Sequence, residues 1–168
     1  MSEFQKKPEI VIFAGPNGSG KSTFTQLLKP PMDYINADEI KKYLKCSDLE
    51  AAQLAEKQRE EHLEKMQEFC FETVLSTERN LKLLKRAKEK GYFIRCYYIL
   101  TADSMIKLVK DVVKACDICH IYDNSDSRPF RIFKKRKEQI YFDECVDWQY
   151  EDICALSGIS NMERKCLN

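Results

Sequence analysis

A glycine-rich loop between an apolar segment and a helix-forming segment constrains this chain more than any other feature. Residues 9–14 (EIVIFA) are apolar and rich in β-branched side chains, which predicts a buried strand. Residues 15–22 (GPNGSGKS) then follow the pattern of a glycine, four residues and Gly-Lys-Ser. A helix is predicted over residues 20–28, and Pro30 ends it. This order of strand, loop and helix predicts a phosphate-binding loop.

The chemistry of such a loop gives its residues distinct roles. Glycines allow successive backbone N–H groups to surround phosphate oxygens, and the N-terminus of the following helix attracts the same negative charge. We expect Lys21 to contact the β- and γ-phosphates and the Ser22 hydroxyl to bind Mg²⁺. A plain turn between strand and helix is the alternative, but it does not require this lysine and serine. The predicted nucleotide-binding residues are Gly15, Pro16, Asn17, Gly18, Ser19, Gly20, Lys21, Ser22 and Thr23.

The rest of the chain alternates predicted strands with predicted helices. Strands are predicted over residues 34–36, 69–74, 92–100 and 117–122, and helices over residues 38–44, 47–67, 78–90 and 102–115. Ser47 and Glu50 form a capping-box pattern at the start of the longest helix. The alternation implies βαβ units, and so predicts an α/β fold: a three-layer P-loop NTPase or kinase with a mostly parallel sheet. Residues 129–142 predict a C-terminal β-hairpin, and residues 146–156 a last helix.

Length and composition indicate one domain over residues 1–168. No repeat or linker divides the 168 residues, of which 43% are hydrophobic. A net charge of +1 provides no basic field for nucleic acid or anionic lipid. No apolar run approaches the ~20 residues of a membrane span, and the run near the N-terminus is too short for a signal peptide. We therefore expect a cytoplasmic protein whose eight cysteines are reduced and mostly buried, including those of the CDICH motif.

Polar residues follow each predicted strand, and the carboxyl ends of parallel strands meet at one edge of a sheet, where ligands bind. Asp38, after the second strand, is the carboxylate expected to accept a proton from an attacking hydroxyl. A helix N-cap is the alternative role of Asp38, and the two are compatible. Glu72 and Thr73, with Ser76 and Thr77, favour hydrogen bonding to a hydroxylated substrate. A solvent-side strand residue without a binding role is the alternative for Glu72. The chain lacks both a guanine-reading Asn-Lys-x-Asp element and a strand of four apolar residues ending in Asp.

Four motifs in this order resemble the zeta-toxin-like family of P-loop kinases. They are IVIFAGPNGSGKST (residues 10–23), INADEI (residues 35–40), FETVLST (residues 71–77) and CHIYDNS (residues 119–125). The resemblance covers about residues 9–130 and implies phosphorylation of a sugar nucleotide, typically UDP-N-acetylglucosamine, at a sugar hydroxyl. ATP is the implied phosphate donor, with GTP used by some members. The resemblance also implies toxin-like activity and, in some systems, a small antitoxin partner.

Position by position, Lys21, Ser22 and Asp38 match the phosphate-binding, metal-binding and catalytic-base residues of that family, and Glu72 and Thr73 match its substrate-binding strand end. The arginine-bearing lid of the family is missing between about residues 104 and 115. Lid arginines stabilise the transferred phosphoryl group. Three alternatives follow: the protein has lost its lid, a basic residue such as Arg128 or Arg131 replaces the lid arginines, or the recorded sequence omits this segment. An ATP-binding module with inefficient transfer is therefore one alternative. A kinase for another small metabolite or an RNA end is a second alternative. The basic cluster KKRK (residues 134–137) is the only sequence feature that supports it.

Overall fold

The computed structural model describes residues 6–75, 78–101, 109–126 and 128–142. Within these residues lie seven strands and five helices. In chain order they are β1 (Glu9–Ala14), α1 (Lys21–Leu28), β2 (Asp33–Ile35), α2 (Ala37–Leu44), α3 (Asp48–Glu64), β3 (Phe69–Thr73), α4 (Glu78–Glu89), β4 (Phe93–Leu100), α5 (Val109–Ala115), β5 (Ile118–Asp123), β6 (Phe130–Arg136) and β7 (Gln139–Phe142). The predicted helix over residues 146–156 and residues 102–108 of the predicted fifth helix lie outside the described residues.

All seven strands form one sheet in the order β2-β3-β1-β4-β5-β6-β7. The first five strands in this order run parallel to one another. Strands β6 and β7 pair antiparallel and form the C-terminal hairpin. The predicted mostly parallel sheet with a terminal hairpin is therefore confirmed. Because β1 lies between β3 and β4, the strand order reverses at the carboxyl end of β1, and ligands of open α/β sheets bind at such reversals.

Alternate side chains of β1 face two apolar layers, one on each side of the sheet. Ile10 and Ile12 belong to the larger layer, which includes side chains of α3, α4 and α5. Val11 and Phe13 belong to the smaller layer, where they pack with Phe24 of α1. Helices thus cover both faces, which confirms the three-layer architecture. A strand buried on both faces requires apolar residues at every position, and this is why the run at residues 10–14 has no polar alternation.

Local hydrogen bonds explain where two helices begin. The capping box of α3 is confirmed, because Ser47 Oγ accepts from Glu50 N (3.3 Å) and Glu50 Oε2 accepts from Ser47 N (2.9 Å). At α2 the cap is Asn36, whose Oδ1 accepts from Asp38 N (2.8 Å). The interpretation of Asp38 as an N-cap is therefore wrong. Asp38 lies in the first helical turn and is exposed.

The part of the chain that the structure describes contains five cysteines. All five are free thiols, and four of them are buried, as predicted. In the CDICH motif, Cys119 and His120 are consecutive residues of β5 and face opposite sides of the sheet. They therefore do not converge on one ligand.

No helix within the described residues has the length and apolarity that crossing a membrane requires.

Candidate active site

The phosphate loop connects the carboxyl end of β1 to α1, and backbone hydrogen bonds hold it in place. Gly15 N donates to Thr73 O on β3 (3.2 Å), and Ser19 N donates to Pro16 O (3.2 Å), which closes a turn. Gly20 has the left-handed conformation (φ 86°) and is the N-cap of α1, where no side chain caps the helix. The N–H groups of the first turn and the positive end of the helix dipole therefore face the concave side of a glycine-rich loop, which suits an anion.

Asn124, which follows β5, holds this loop from the other side. Its Nδ2 donates to Ser19 O (2.9 Å), and its backbone N donates to Leu100 O (2.9 Å). A Cβ atom on Gly20 would lie 2.6 Å from the Asn124 amide nitrogen, and the φ of 86° is one that other residues rarely adopt, so glycine suits this close approach. Asn124 is not among the site residues predicted from the sequence. Its position directly after the fifth strand was the available signal, because that strand end reaches the same edge of the sheet.

Gly15→Ala is expected to destabilise the protein more than Gly18→Ala. A Cβ atom on Gly15 would overlap the backbone carbonyl oxygen of Ile99, which pairing within the sheet holds in place. Overpacking of this kind costs about 1–3 kcal/mol or more. Gly18 has a positive φ (76°) with no atom within 4 Å of the added Cβ, so alanine there costs only the ~1–2 kcal/mol of a left-handed residue. Urea denaturation of both variants measures the difference, and equal losses would contradict this account.

Lys21, the first residue of α1, has its ammonium group against the phosphate loop. Its Nζ donates to Pro16 O (2.8 Å), and the side chain is half-buried. Burial lowers the pKa of Lys21, because removal from water disfavours the charged form, and the negative charge of Glu72 opposes this shift. The ammonium group thus lies at the loop and near a carboxylate, where it can contact phosphate oxygens.

Glu72, near the end of β3, lies among three hydroxyl groups. Its Oε2 accepts from Ser22 Oγ (3.2 Å), and its Oε1 accepts from Thr25 Oγ1 (2.7 Å) and Tyr34 OH (2.7 Å). Asn36 Nδ2 in turn donates to the Tyr34 hydroxyl oxygen (2.5 Å). The structure therefore brings Glu72 to Ser22, the predicted metal-binding residue, although the sequence analysis had grouped it with the substrate-binding residues.

The donor set of this cluster fits Mg²⁺. A serine hydroxyl and a carboxylate are hard oxygen ligands, and Mg²⁺ is usually bound by one or two carboxylates together with substrate phosphates. The part of the chain that the structure describes contains no group of three or more His, Cys, Asp or Glu side chains able to hold a metal alone. Ser22 and Glu72 are the residues that could hold Mg²⁺.

Asp38 lies beside a basic recess. The recess has a volume of about 610 Å³ and is lined by Asp38, Lys41, Lys42, Lys45 and Cys46. Spacings of three and four residues place the carboxylate and the lysines on one face of α2 and its C-cap. Lys41 Nζ donates to Asp48 (2.7 Å), and the Lys42 and Lys45 side chains are exposed. An anionic group would find lysines next to a carboxylate that can accept a proton.

Thr73 shapes the turn after β3. Its Oγ1 accepts from Leu75 N (3.0 Å) and from Asn80 Nδ2 (2.7 Å), and its backbone oxygen accepts from Gly15 N. The structure therefore places Thr73 directly beside the phosphate loop. Ser76 and Thr77, the other predicted residues of this segment, lie outside the described residues.

Thr25 and Tyr34 were missed by the sequence analysis, although spacing signals exist for both. Thr25 follows Ser22 by three residues on α1, so both hydroxyls share the helix face that meets β3. Tyr34 precedes Asn36 by two residues, which places the two side chains on the same side of an extended segment. Neither spacing identifies Glu72 as the common partner, because Glu72 comes from another strand.

Comparisons with known proteins agree on the fold. The sequence model of the family described as zeta toxin matches residues 1–108, and no curated protein matches the chain significantly. A chain of the PezAT chromosomal toxin–antitoxin system of Streptococcus pneumoniae is similar in structure, with a TM-score of 0.52, 15% identity and coverage of 93% of this chain and 86% of that one. A chain of the AvrRxo1-ORF1:AvrRxo1-ORF2 complex has a TM-score of 0.64 and 13% identity over 89% of this chain. This chain covers 64% of the length of the latter.

Proposed function

The chain belongs to the zeta toxin family, and on this premise we propose that it is a P-loop kinase that phosphorylates a hydroxyl group of a sugar nucleotide, with UDP-N-acetylglucosamine the first candidate. ATP is the proposed phosphate donor. The observation that carries the proposal is the contact of the Ser22 hydroxyl with the Glu72 carboxylate (3.2 Å) beside the phosphate loop. A small antitoxin partner and action in the cytoplasm belong to the same proposal and rest on the family.

In the proposed reaction, the acceptor hydroxyl oxygen forms a bond to the γ-phosphorus, and the bond from that phosphorus to the bridging oxygen breaks. ADP leaves with the bonding electron pair, and the hydroxyl proton passes to Asp38. Lys21 and the loop N–H groups hold the nucleotide phosphates. Ser22 and Glu72 would hold Mg²⁺, which would supply positive charge to the nucleotide phosphates.

The basic recess favours an acceptor that carries its own negative charge. A sugar nucleotide has a diphosphate, and the recess offers lysines on the helix face that carries Asp38. We propose that the diphosphate binds these lysines, which brings the sugar hydroxyl to the carboxylate. Acceptors without phosphate would lack this attraction.

Reversing two of these charges is expected to weaken acceptor binding selectively. Lys42→Glu combined with Lys45→Glu should raise KM for a UDP-sugar about tenfold, since exposed charges contribute roughly 0.5–1 kcal/mol each. The kcat should change much less, because neither lysine reaches the reacting atoms in the proposal. Lys85→Glu on the exposed face of α4 is the matched control and should have no effect. The increase in KM should shrink at high salt, and an equal increase for an uncharged acceptor would contradict the assignment.

The decisive experiment incubates the full chain with Mg-ATP and a panel of acceptors, and detects phosphorylated product by mass spectrometry. The panel contains UDP-sugars, free sugars and an oligonucleotide with a 5′-hydroxyl end. We expect a product of phosphate addition from a UDP-sugar. Measurable ATP binding with no product would contradict the kinase and favour a binding module, whereas product only from the oligonucleotide would replace the acceptor class.

A further inference from the structure

Tyr34 lies between the two halves of the candidate site. Its ring packs against the smaller apolar layer, and its hydroxyl contacts two polar side chains. The hydroxyl donates to Glu72 Oε1 (2.7 Å), and Asn36 Nδ2 donates to the hydroxyl oxygen (2.5 Å). Glu72 also contacts Ser22, and Asn36 caps the helix that carries Asp38. One phenol therefore connects the carboxylate of the proposed metal site to the loop of the proposed base.

The donors and acceptors in this chain of contacts fit only one arrangement. An ionised carboxylate can only accept, so the Tyr34 proton must point to Glu72. The Tyr34 oxygen then offers a lone pair to the Asn36 amide. Because Asn36 Oδ1 already accepts from Asp38 N, its Nδ2 is the end that faces Tyr34.

We propose that Tyr34 is a positioning residue that couples the metal side of the site to the acceptor side, and this inference rests on the proposed function. Its hydroxyl holds the Glu72 carboxylate beside Ser22 and at the same time holds the Asn36 amide. Through Asn36 it fixes the first turn of α2, where Asp38 lies. A change at the carboxylate is thereby linked to the geometry at Asp38.

Tyr34→Phe tests the inference in the full chain. Phenylalanine keeps the ring, including its contact with the Lys29 ammonium group (4.8 Å from Nζ to the ring centroid), but removes both hydrogen bonds. Calorimetric titration with ATP is carried out with and without Mg²⁺. We expect the Mg²⁺-dependent gain in ATP affinity to fall about tenfold, because a hydrogen bond to a charged group contributes an effect of that order. ATP affinity without Mg²⁺ should not change.

A second measurement uses the protein without nucleotide. Hydrogen exchange at the Asp38 backbone amide should become about tenfold faster in Tyr34→Phe, because Asn36 loses its partner and the start of α2 frays. Tyr43→Phe is the matched control for both measurements. Tyr43 lies on α2, the helix that carries Asp38, and 88% of its surface is exposed. The melting temperature verifies that each variant folds.

The possible results separate this inference from the proposed function. Wild-type values of both readouts in Tyr34→Phe, or a change in only one of them, overturn the coupling and leave the kinase standing. A chain that binds Mg-ATP but phosphorylates no acceptor overturns the proposed transfer, while both Tyr34 readouts can still be measured. A wild-type chain that binds no ATP overturns the proposed function and this inference together.

Discussion

Lys21→Ala is expected to abolish nucleotide binding while leaving the fold intact. The Lys21 ammonium lies against the phosphate loop, with Nζ 2.8 Å from Pro16 O, where it can contact the β- and γ-phosphates. Hydrogen bonds between charged groups contribute about 1.5–3 kcal/mol each, so losing two of them weakens binding by more than about 100-fold. Calorimetric titration of the purified variant with Mg-ATP measures the loss. Lys85→Ala, on the exposed face of α4, should bind as the wild type does.

The same substitution should not reduce stability. Folding lowers the pKa of Lys21 through burial, so the folded protein holds the charged form less favourably than the unfolded chain does. Below the folded pKa the charged lysine therefore subtracts from stability, and stability rises with pH from that pKa towards the unfolded one. At neutral pH the melting temperature of Lys21→Ala should equal or exceed that of the wild type. A marked fall in melting temperature, or unchanged ATP affinity, would contradict the interpretation that Lys21 contributes to phosphate binding and not to stability.

The elements that the sequence predicted well are those with local causes. β1 has its predicted bounds, because an apolar run followed by a glycine-rich loop leaves few alternatives. The capping box at Ser47 and the hairpin of β6 and β7 also depend only on nearby residues. Strand order is different. The pairing of β3 with β1 joins two segments that lie far apart in the chain, so no local pattern predicts it.

In the candidate site too, features formed by one contiguous segment could be predicted from the sequence, and contacts between distant segments could not. The phosphate loop is one contiguous segment, so its pattern could be read directly from the sequence. The partners of Glu72 come from α1 and β2, and only the pairing of β3 between β2 and β1 brings them together. The sequence therefore predicted an acceptor-binding role for Glu72 beside the threonines, but it did not predict the contact of Glu72 with Ser22. The alternative role of Asp38 as the N-cap of α2 was wrong. Asn36 and Asp38 are both favourable N-cap residues, and only the backbone conformation decides between them.

Asp38→Asn is expected to remove phosphoryl transfer while leaving nucleotide binding nearly intact. Asparagine has the same shape and keeps the N–H that Asn36 caps, but it cannot accept the proton of the attacking hydroxyl. Loss of a general base lowers kcat by about 10²–10⁴. ATP affinity should persist, because Asp38 belongs to α2 and the phosphate loop is built from β1 and α1. Product formation from a UDP-sugar and calorimetric ATP binding are measured on the same preparation.

Glu39→Gln is the control that makes this prediction specific. Glu39 is the other acidic residue in the first turn of α2, so its replacement removes the same charge from the same helix N-terminus. If Asp38 acted only through that charge, both variants would lose the same modest amount of activity. A large loss of transfer confined to Asp38→Asn assigns the proton to its carboxylate. Equal losses of transfer and of ATP binding in Asp38→Asn would contradict the separation of the phosphate-binding and base roles on which the proposed mechanism depends.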